Sequence, residues 1–216
     1  MKKAAKPAVV ITAGPTREPF DPVRFITNYS SGKMGYALAI AARRRGAAVT
    51  LISGPSVLPV PSGVDFISVS SAVEMREAVM KHLKAADMVI KSAAVADFRP
   101  STRADAKIKK KSGPMTLTLE RNPDILAEIG KKKEGRILIG FAMESEDLVE
   151  NAKAKLMKKN LDLIVANNVK QEGAGFQTDT NIVKILDRAG GIEELPLMDK
   201  MEVAGRILDR AKRLFK

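Results

Sequence analysis

Apolar residues along this chain recur at two spacings. Ala8-Val9-Val10-Ile11-Thr12-Ala13-Gly14 is a short, β-branched run closed by Gly-Pro, the pattern of a strand buried on both faces. A polar stretch follows from Pro15 to Ser31. Met34, Ala37, Leu38, Ala41 and Ala42 then recur at helical spacing. Three arginines and Gly46 close that helix, since cations and a glycine both suit a C-terminus. Ala48 to Ser53 is a second strand, so the chain opens as a βαβ unit.

The alternation continues with a strand over Val64–Val69 and a helix over Ala72–Ala85. Met88-Val89-Ile90 starts a strand that runs into Lys91-Ser92-Ala93-Ala94-Val95. Asn122–Lys132 reads as a helix opening on Asn-Pro, a cap followed by a favoured first residue. Ile137–Phe141 is a strand, Glu146–Lys159 a helix with Leu148, Val149, Ala152 and Leu156 on one face, and Leu161–Ala166 another strand. Ile182–Leu186 and Ile192–Leu197 flank Ala189-Gly190-Gly191 as a hairpin. Met198–Phe215 is a final amphipathic helix. This order predicts an α/β fold: a Rossmann-like, doubly wound, mostly parallel sheet with a late β-hairpin. Phe98–Glu120 carries no core pattern, and its length within a compact domain marks a flexible, lysine-bearing flap.

Composition narrows the class. With 45% hydrophobic residues in 216, the chain has enough apolar surface for a core and reads as one domain over 8–216, with the flap at about 98–120. Residues 1–7 form a lysine-rich leader, a linker or disordered segment without the apolar stretch of a secretory signal. No run of about 18 apolar residues suggests a membrane span. The absence of cysteine fits a reducing cytoplasm and excludes a thiol nucleophile. His82 is the only histidine and sits in a helical pattern as an ordinary surface or boundary residue. Zinc sites of the usual spacing are thereby excluded, and His-based triads are disfavoured. Chemistry falls to Lys, Arg, Asn, Asp and backbone N–H groups, a set suited to phosphoryl and nucleotidyl transfer. A net charge of +12 points to anionic partners, while 4% aromatics is poor for stacking nucleic-acid bases.

Four segments carry candidate chemistry. Asn28-Tyr29-Ser30-Ser31-Gly32-Lys33-Met34-Gly35 joins the first strand to the first helix, where glycines and free N–H groups cradle phosphate. It also suits a plain helix cap. It is not a Walker A loop, because Met34 and Thr27 replace the required hydroxyl residue and first glycine. A dinucleotide reading lacks the acidic residue after strand two, where Ile52-Ser53-Gly54 stands. Ala93-Ala94-Val95-Ala96-Asp97 ends a strand where open α/β sheets bind ligands; Asp97 serves a ligand, Mg²⁺ or simply a turn. Lys107-Ile108-Lys109-Lys110-Lys111 is a solvated loop or a closing arm over phosphates. Lys155 and Lys159 share one helix face, a repulsion of about 0.3 kcal/mol that a bound polyanion would relieve.

Together these segments resemble phosphopantothenate–cysteine ligases, in order and over nearly the whole chain. The similarity rests on Thr12-Ala13-Gly14-Pro15-Thr16-Arg17-Glu18-Pro19, Asp21-Pro22-Val23-Arg24-Phe25, Asn28 to Gly35, Ala93 to Asp97, Lys107 to Lys110, Asn122-Pro123-Asp124-Ile125, Gly140-Phe141-Ala142 and Lys158 to Asp162. The first block is long and specific. The resemblance implies a two-step reaction: a carboxylate attacks the α-phosphate of a nucleoside triphosphate, and cysteine then displaces the nucleoside monophosphate. The blocks are similar to the bacterial branch, which implies CTP rather than ATP, with Mg²⁺ bridged by the nucleotide phosphates and no protein metal cage.

Carried onto this sequence, the resemblance implies Asn28 and Lys107 as catalytic groups. Nucleotide would be bound by Gly14, Ser30, Ser31, Gly32, Lys33, Gly35, Ser92, Ala93, Asp97, Lys107, Asn122, Pro123, Asp124, Ile125, Phe141, Lys155 and Lys159. Phosphopantothenate would be bound by Arg24, Asn28, Ala93, Ala94 and Asp97, with Arg24 reaching across a homodimer interface. The family is often fused to a flavin-dependent decarboxylase, and Tyr29 replaces an arginine of some relatives. The competing readings are an NAD(P)-dependent reductase and a basic nucleic-acid-binding module.

Overall fold

A computed structural model describes residues 6–110, 112–144, 146–168, 171, 173 and 175–215. Residues 1–5 of the expected leader and Lys111 of the lysine run lie outside the described residues. The first strand, β1 (Ala8–Ala13), is followed by a small hairpin, β2 (Arg17–Pro19) and β3 (Phe25–Thr27), inside the stretch expected to be loop. Its strands have only three residues each, too short for a periodic signal. Helix α1 (Lys33–Arg44) leads into β4 (Ala48–Ser53), and β5 (Asp65–Ser68) into α2 (Ala72–Leu83). β6 (Met88–Lys91) precedes a second hairpin, β7 (Phe98–Pro100) with β8 (Leu119–Arg121), which clamps both ends of the expected flap.

Helix α3 (Ile125–Lys131) starts later than expected. Asp124 rather than Asn122 is its cap, accepting from the Ala127 N–H at 3.0 Å. Asn122 instead donates to the Ala96 carbonyl at 2.9 Å, a tertiary bond that local spacing does not reveal. β9 (Ile137–Glu144), α4 (Leu148–Lys158) and β10 (Leu163–Asn168) follow. The late hairpin forms from β11 (Thr180–Asp187) and β12 (Ile192–Asp199). α5 (Lys200–Lys212) begins after β12 takes up Met198 and Asp199, and Asp199 caps it through the Met201 N–H at 2.7 Å.

The main sheet has eight strands in the order β12-β11-β10-β9-β6-β1-β4-β5. β5 through β10 run parallel across it, and β11 and β12 are antiparallel additions at one edge. The chain winds outward from β1 to β5, returns to β6 and winds the other way. The switch point therefore lies between β1 and β6, where open α/β sheets bind ligands at their carboxyl ends. Alternate strand residues serve two cores. Ile11, Leu51, Ile90, Ile139 and Val165 pack in the core that includes residues of α1 and α5, whereas Val10, Ile52, Val89, Leu138 and Ile164 share the other with residues of α2, α3 and α4. These continuous apolar strands are buried on both faces, as their sequence pattern requires. No helix among the described residues is long and apolar enough to cross a membrane.

Candidate functional site

The turn leaving β1 is held open by glycines. Gly14 and Gly32 have φ of 72° and 85°, a region that glycine enters without steric cost. A β-carbon on Gly35 would lie 2.5 Å from that of Ala13, so α1 approaches β1 this closely only without a side chain there. Gly32 caps α1 without a side-chain hydrogen bond, and the first turn of the helix contains no acidic residue. The Gly32 and Lys33 N–H groups reach only the Ser30 and Ser31 hydroxyls, at 3.3 and 3.5 Å, and with an uncompensated dipole such a terminus suits an anion.

Opposite it, the turn after β6 is fastened to the β1 turn by short bonds. The Ala94 N–H donates to the Gly14 carbonyl at 3.0 Å, the Ala93 N–H to Thr12 Oγ1 at 3.2 Å, and the Ala96 N–H to Thr16 Oγ1 at 3.0 Å. Asn28 donates from Nδ2 to the Ala94 carbonyl at 3.0 Å, which orients its amide between the two turns. The small side chains of Ala93 and Ala94 line the cavity without filling it.

Two adjoining cavities open at this switch point. One, of about 350 Å³, is lined by Asn28, Ser30, Gly32, Lys33, Gly35, Ser92, Ala93, Ala94 and Asp97. The other, of about 440 Å³, is lined by Asp97, Asn122, Pro123, Asp124, Ile125, Phe141, Lys155 and Lys159. Asp97, Phe141 and Lys155 line both, so the cavities form one connected groove. Lys159 pairs with Asp124; although burial opposes ionisation, this pair and the Ala127 N–H hold the Asp124 carboxyl below the usual carboxylate range. Among the described residues, no group of three His, Cys, Asp or Glu side chains is placed to hold a metal ion.

Four expected site residues fall elsewhere. Gly14 sits beneath Gly32 as scaffold; a β-carbon on Gly32 would meet its backbone nitrogen at 3.2 Å. Ser31 turns outward, donating to the Phe176 carbonyl at 2.5 Å. Arg24 and Lys107 line a separate, open cavity of about 680 Å³ with Ile108, Lys109 and Lys110. The flap is docked there through its backbone. Buried Asp21 accepts the Ile108 N–H at 3.2 Å and the Arg24 guanidinium at 2.6 Å, while Arg24 donates to the Ile108 carbonyl at 3.1 Å. The Arg24 charge, reinforced by these N–H donors against the effect of burial, holds the Asp21 carboxyl far below the usual range.

Other residues of the groove carried no candidate role in the sequence reading: Lys91, Asn167, Asn181 and Lys200. Lys91 had a readable signal, being a lysine at the end of a buried strand. Its ammonium lies at the wall common to both cavities and donates to the Ala93 carbonyl at 3.1 Å. Burial lowers its pKa from 10.5 to about 8; Lys155 adds to the effect, while Asp124 and Asp97 oppose it. Because the folded value is the lower one, the unfolded chain binds more protons between these two pH values. The penalty for burying Lys91 is thus complete below pH 8 and is lifted as pH rises toward 10.5. Lys91→Met is expected to raise the melting temperature at pH 7 and to flatten its rise between pH 8 and 10.5, read by thermal denaturation across that range. An unchanged profile in Lys91→Met would refute the assignment.

The chain as a whole is similar to proteins of one family. Residues 4–214 match the family described as DNA/pantothenate metabolism flavoprotein C-terminal domain. The chain is 58% identical over 209 residues to the coenzyme A biosynthesis bifunctional protein CoaBC of Bacillus subtilis (strain 168), covering 96% of this chain and 52% of that protein. The corresponding protein of Escherichia coli (strain K12) is 46% identical, with 93% and 50% covered. The chain thus spans about half the length of the curated relatives it matches. Its fold superposes on the crystal structure of the C-terminal domain of a CoaBC protein with a TM-score of 0.83 and 44% identity, covering 96% of this chain and 95% of that one. A Streptococcus pneumoniae DNA/pantothenate metabolism flavoprotein, 22% identical with a TM-score of 0.84, shares the fold. With its switch-point groove and matched over almost its full length, this chain belongs to the family of DNA/pantothenate metabolism flavoprotein C-terminal domains.

Proposed function

We propose that this chain joins 4'-phosphopantothenate to L-cysteine through an acyl-nucleotide intermediate, using CTP in preference to ATP. The carrying observation is the connected groove in which an uncapped helix N-terminus and Asn28 face one end, and the Asn122–Ile125 segment with Lys155 and Lys159 forms the other. The first end suits the phosphates and the substrate carboxylate; the second suits the nucleoside. The preference for CTP follows the resemblance to the bacterial branch. Asp97 is the groove carboxylate that would help hold Mg²⁺, which would supply positive charge beside the phosphates.

The chain's own groups divide the work. Backbone N–H groups at Gly32–Gly35 and the ammonium groups of Lys33 and Lys91 offset charge on the phosphates. Asn28 hydrogen-bonds the acyl-nucleotide. Ala93, Ala94 and Asp97 position phosphopantothenate. Lys107 completes the site when the flap leaves its dock and closes, which also excludes water. Val23, Phe25, Tyr29, Val57 and Val60 are exposed on the β2–β3 side, and this apolar surface supports a homodimer whose Arg24 reaches the neighbouring site. The bifunctional relatives support a flavin-dependent decarboxylase as a fused or separate partner, and coenzyme A synthesis in the cytoplasm.

The alternatives have weaker support. Ile52-Ser53-Gly54 stands where a dinucleotide enzyme carries its acidic residue, and none of the three is acidic. Few aromatics argue against single-stranded nucleic acid. The deciding assay supplies CTP or ATP, phosphopantothenate and Mg²⁺, with and without cysteine, and measures pyrophosphate and CMP. Cysteine-dependent CMP formation is expected; no nucleotide turnover with the complete mixture would overturn the proposal.

A further inference from the structure

The floor of the phosphate end contains a cation that the reaction scheme above does not use. Lys200, the first residue of α5, is 5% exposed and lines the same cavity as Asn28, Gly32 and Lys33. Its ammonium donates to the Gly175 carbonyl at 2.9 Å and the Thr178 carbonyl at 2.5 Å. Both acceptors are neutral, and among the described residues no carboxylate pairs directly with this charge.

The 175–179 segment that supplies these carbonyls is also tied to the phosphate turn. Ser31 donates to the Phe176 carbonyl at 2.5 Å, and Lys33 donates to the Gln177 carbonyl at 2.8 Å. Lys33 also pairs with the exposed carboxylate of Asp179 at 2.7 Å. Two lysines and one loop thus converge on one end of the groove, beside the N-terminus of α1. The only carboxylate paired with either lysine among the described residues is solvent-exposed and belongs to that loop.

We propose that Lys200 and Lys33 form the subsite for the two outer phosphates, the pyrophosphate that leaves, and that Asp179 occupies Lys33 until a nucleotide displaces it. This rests on the ligase reading for the identity of the leaving group. In the first step the substrate carboxylate oxygen bonds to the α-phosphorus as the bond from that phosphorus to the bridging oxygen breaks. The electron pair and negative charge remain on pyrophosphate. A fixed ammonium there stabilises the charge as it develops. Burial lowers the pKa of Lys200 to about 8, with the Lys33 charge adding to the shift and Asp179 opposing it, so an incoming polyanion would relieve a cost already built into the fold.

The test is titration calorimetry with pyrophosphate, CTP and CMP on the full chain and on Lys200→Met, Lys200→Arg and Asp179→Asn. Loss of one charged hydrogen-bonding partner is expected to weaken pyrophosphate and CTP roughly 10- to 100-fold. CMP, which lacks outer phosphates, should change less than about 3-fold, and Lys200→Arg should fall between. Asp179→Asn should tighten pyrophosphate, since it removes the competing carboxylate. Equal weakening of CMP and CTP in Lys200→Met would make Lys200 a structural residue only and overturn the inference. If Lys200→Met does not fold, unchanged pyrophosphate affinity in Asp179→Asn overturns it instead. Failure of the ligase reading looks different: the wild-type chain would bind pyrophosphate in this pattern yet form no CMP.

Discussion

Asn28→Ala is expected to lower the rate of cysteine-dependent CMP formation by roughly 10²–10³ while leaving CTP affinity within a few-fold. The asymmetry follows from placement. In the proposed site the phosphates would be held by backbone N–H groups and lysines that the substitution does not touch, whereas the Asn28 amide stands between the turn after β1 and the Ala93–Ala94 turn. Its bond to the Ala94 carbonyl fixes it before substrate arrives, so the group is worth most where the acyl-nucleotide forms. Losing that bond also costs about 1 kcal/mol of stability, too little to unfold the chain. Rapid-quench measurement of acyl-nucleotide and CMP, beside calorimetric CTP binding, separates the two effects. A rate within three-fold of wild type would remove Asn28 from the chemistry. Asn28→Asp is the sharper comparison: it preserves shape, but it can no longer donate to Ala94 and it adds a negative charge beside the phosphates.

Gly54→Ala is expected to be the most damaging single-methyl change near the site. The added carbon would sit 1.8 Å from the Pro15 carbonyl oxygen, a backbone atom that no rotamer change can move aside. The Gly54 N–H already donates to the Ala13 carbonyl at 3.0 Å, so neither β4 nor the β1 turn can yield alone. Overpacking of this kind costs on the order of 3 kcal/mol. For a chain of this size that lowers the melting temperature by roughly 6–12 °C. Displacement of Pro15 would also shift Gly14, on which Gly32 rests, and weaken nucleotide binding. Gly46→Ala is the control: its φ is 89° but nothing lies within 4 Å of a β-carbon there, so backbone strain alone costs about 1 kcal/mol. Equal melting temperatures for the two variants would show that the Pro15 contact is not under compression.

The segment between β7 and β8 shows what local sequence does and does not carry. A lysine-bearing segment between strands was legible from length and charge. Its docking on Asp21 and Arg24 was not, because backbone bonds to Ile108 join residues 87 and 84 positions apart without any side-chain pattern. No local pattern marks Asp21, whose buried carboxylate anchors both Arg24 and the flap. Likewise Asn122 looked like a helix cap and serves instead to tie β7 and β8 to the end of the β6 turn.

By itself the sequence determined the strands of the main sheet, the helices and the glycine turn after β1, but not the three-residue strands of the two small hairpins, because hydrophobic period, glycine placement and helix ends are encoded over a few neighbouring residues. It also determined which chemistry was open, since a chain without cysteine and with one histidine must work through lysine, asparagine and backbone. Only the tertiary structure decided that Lys91 joins two cavities and that Lys200 reaches the phosphate end from the far end of the chain. Those positions depend on strand order and on an antiparallel edge added last, and no local spacing carries that information.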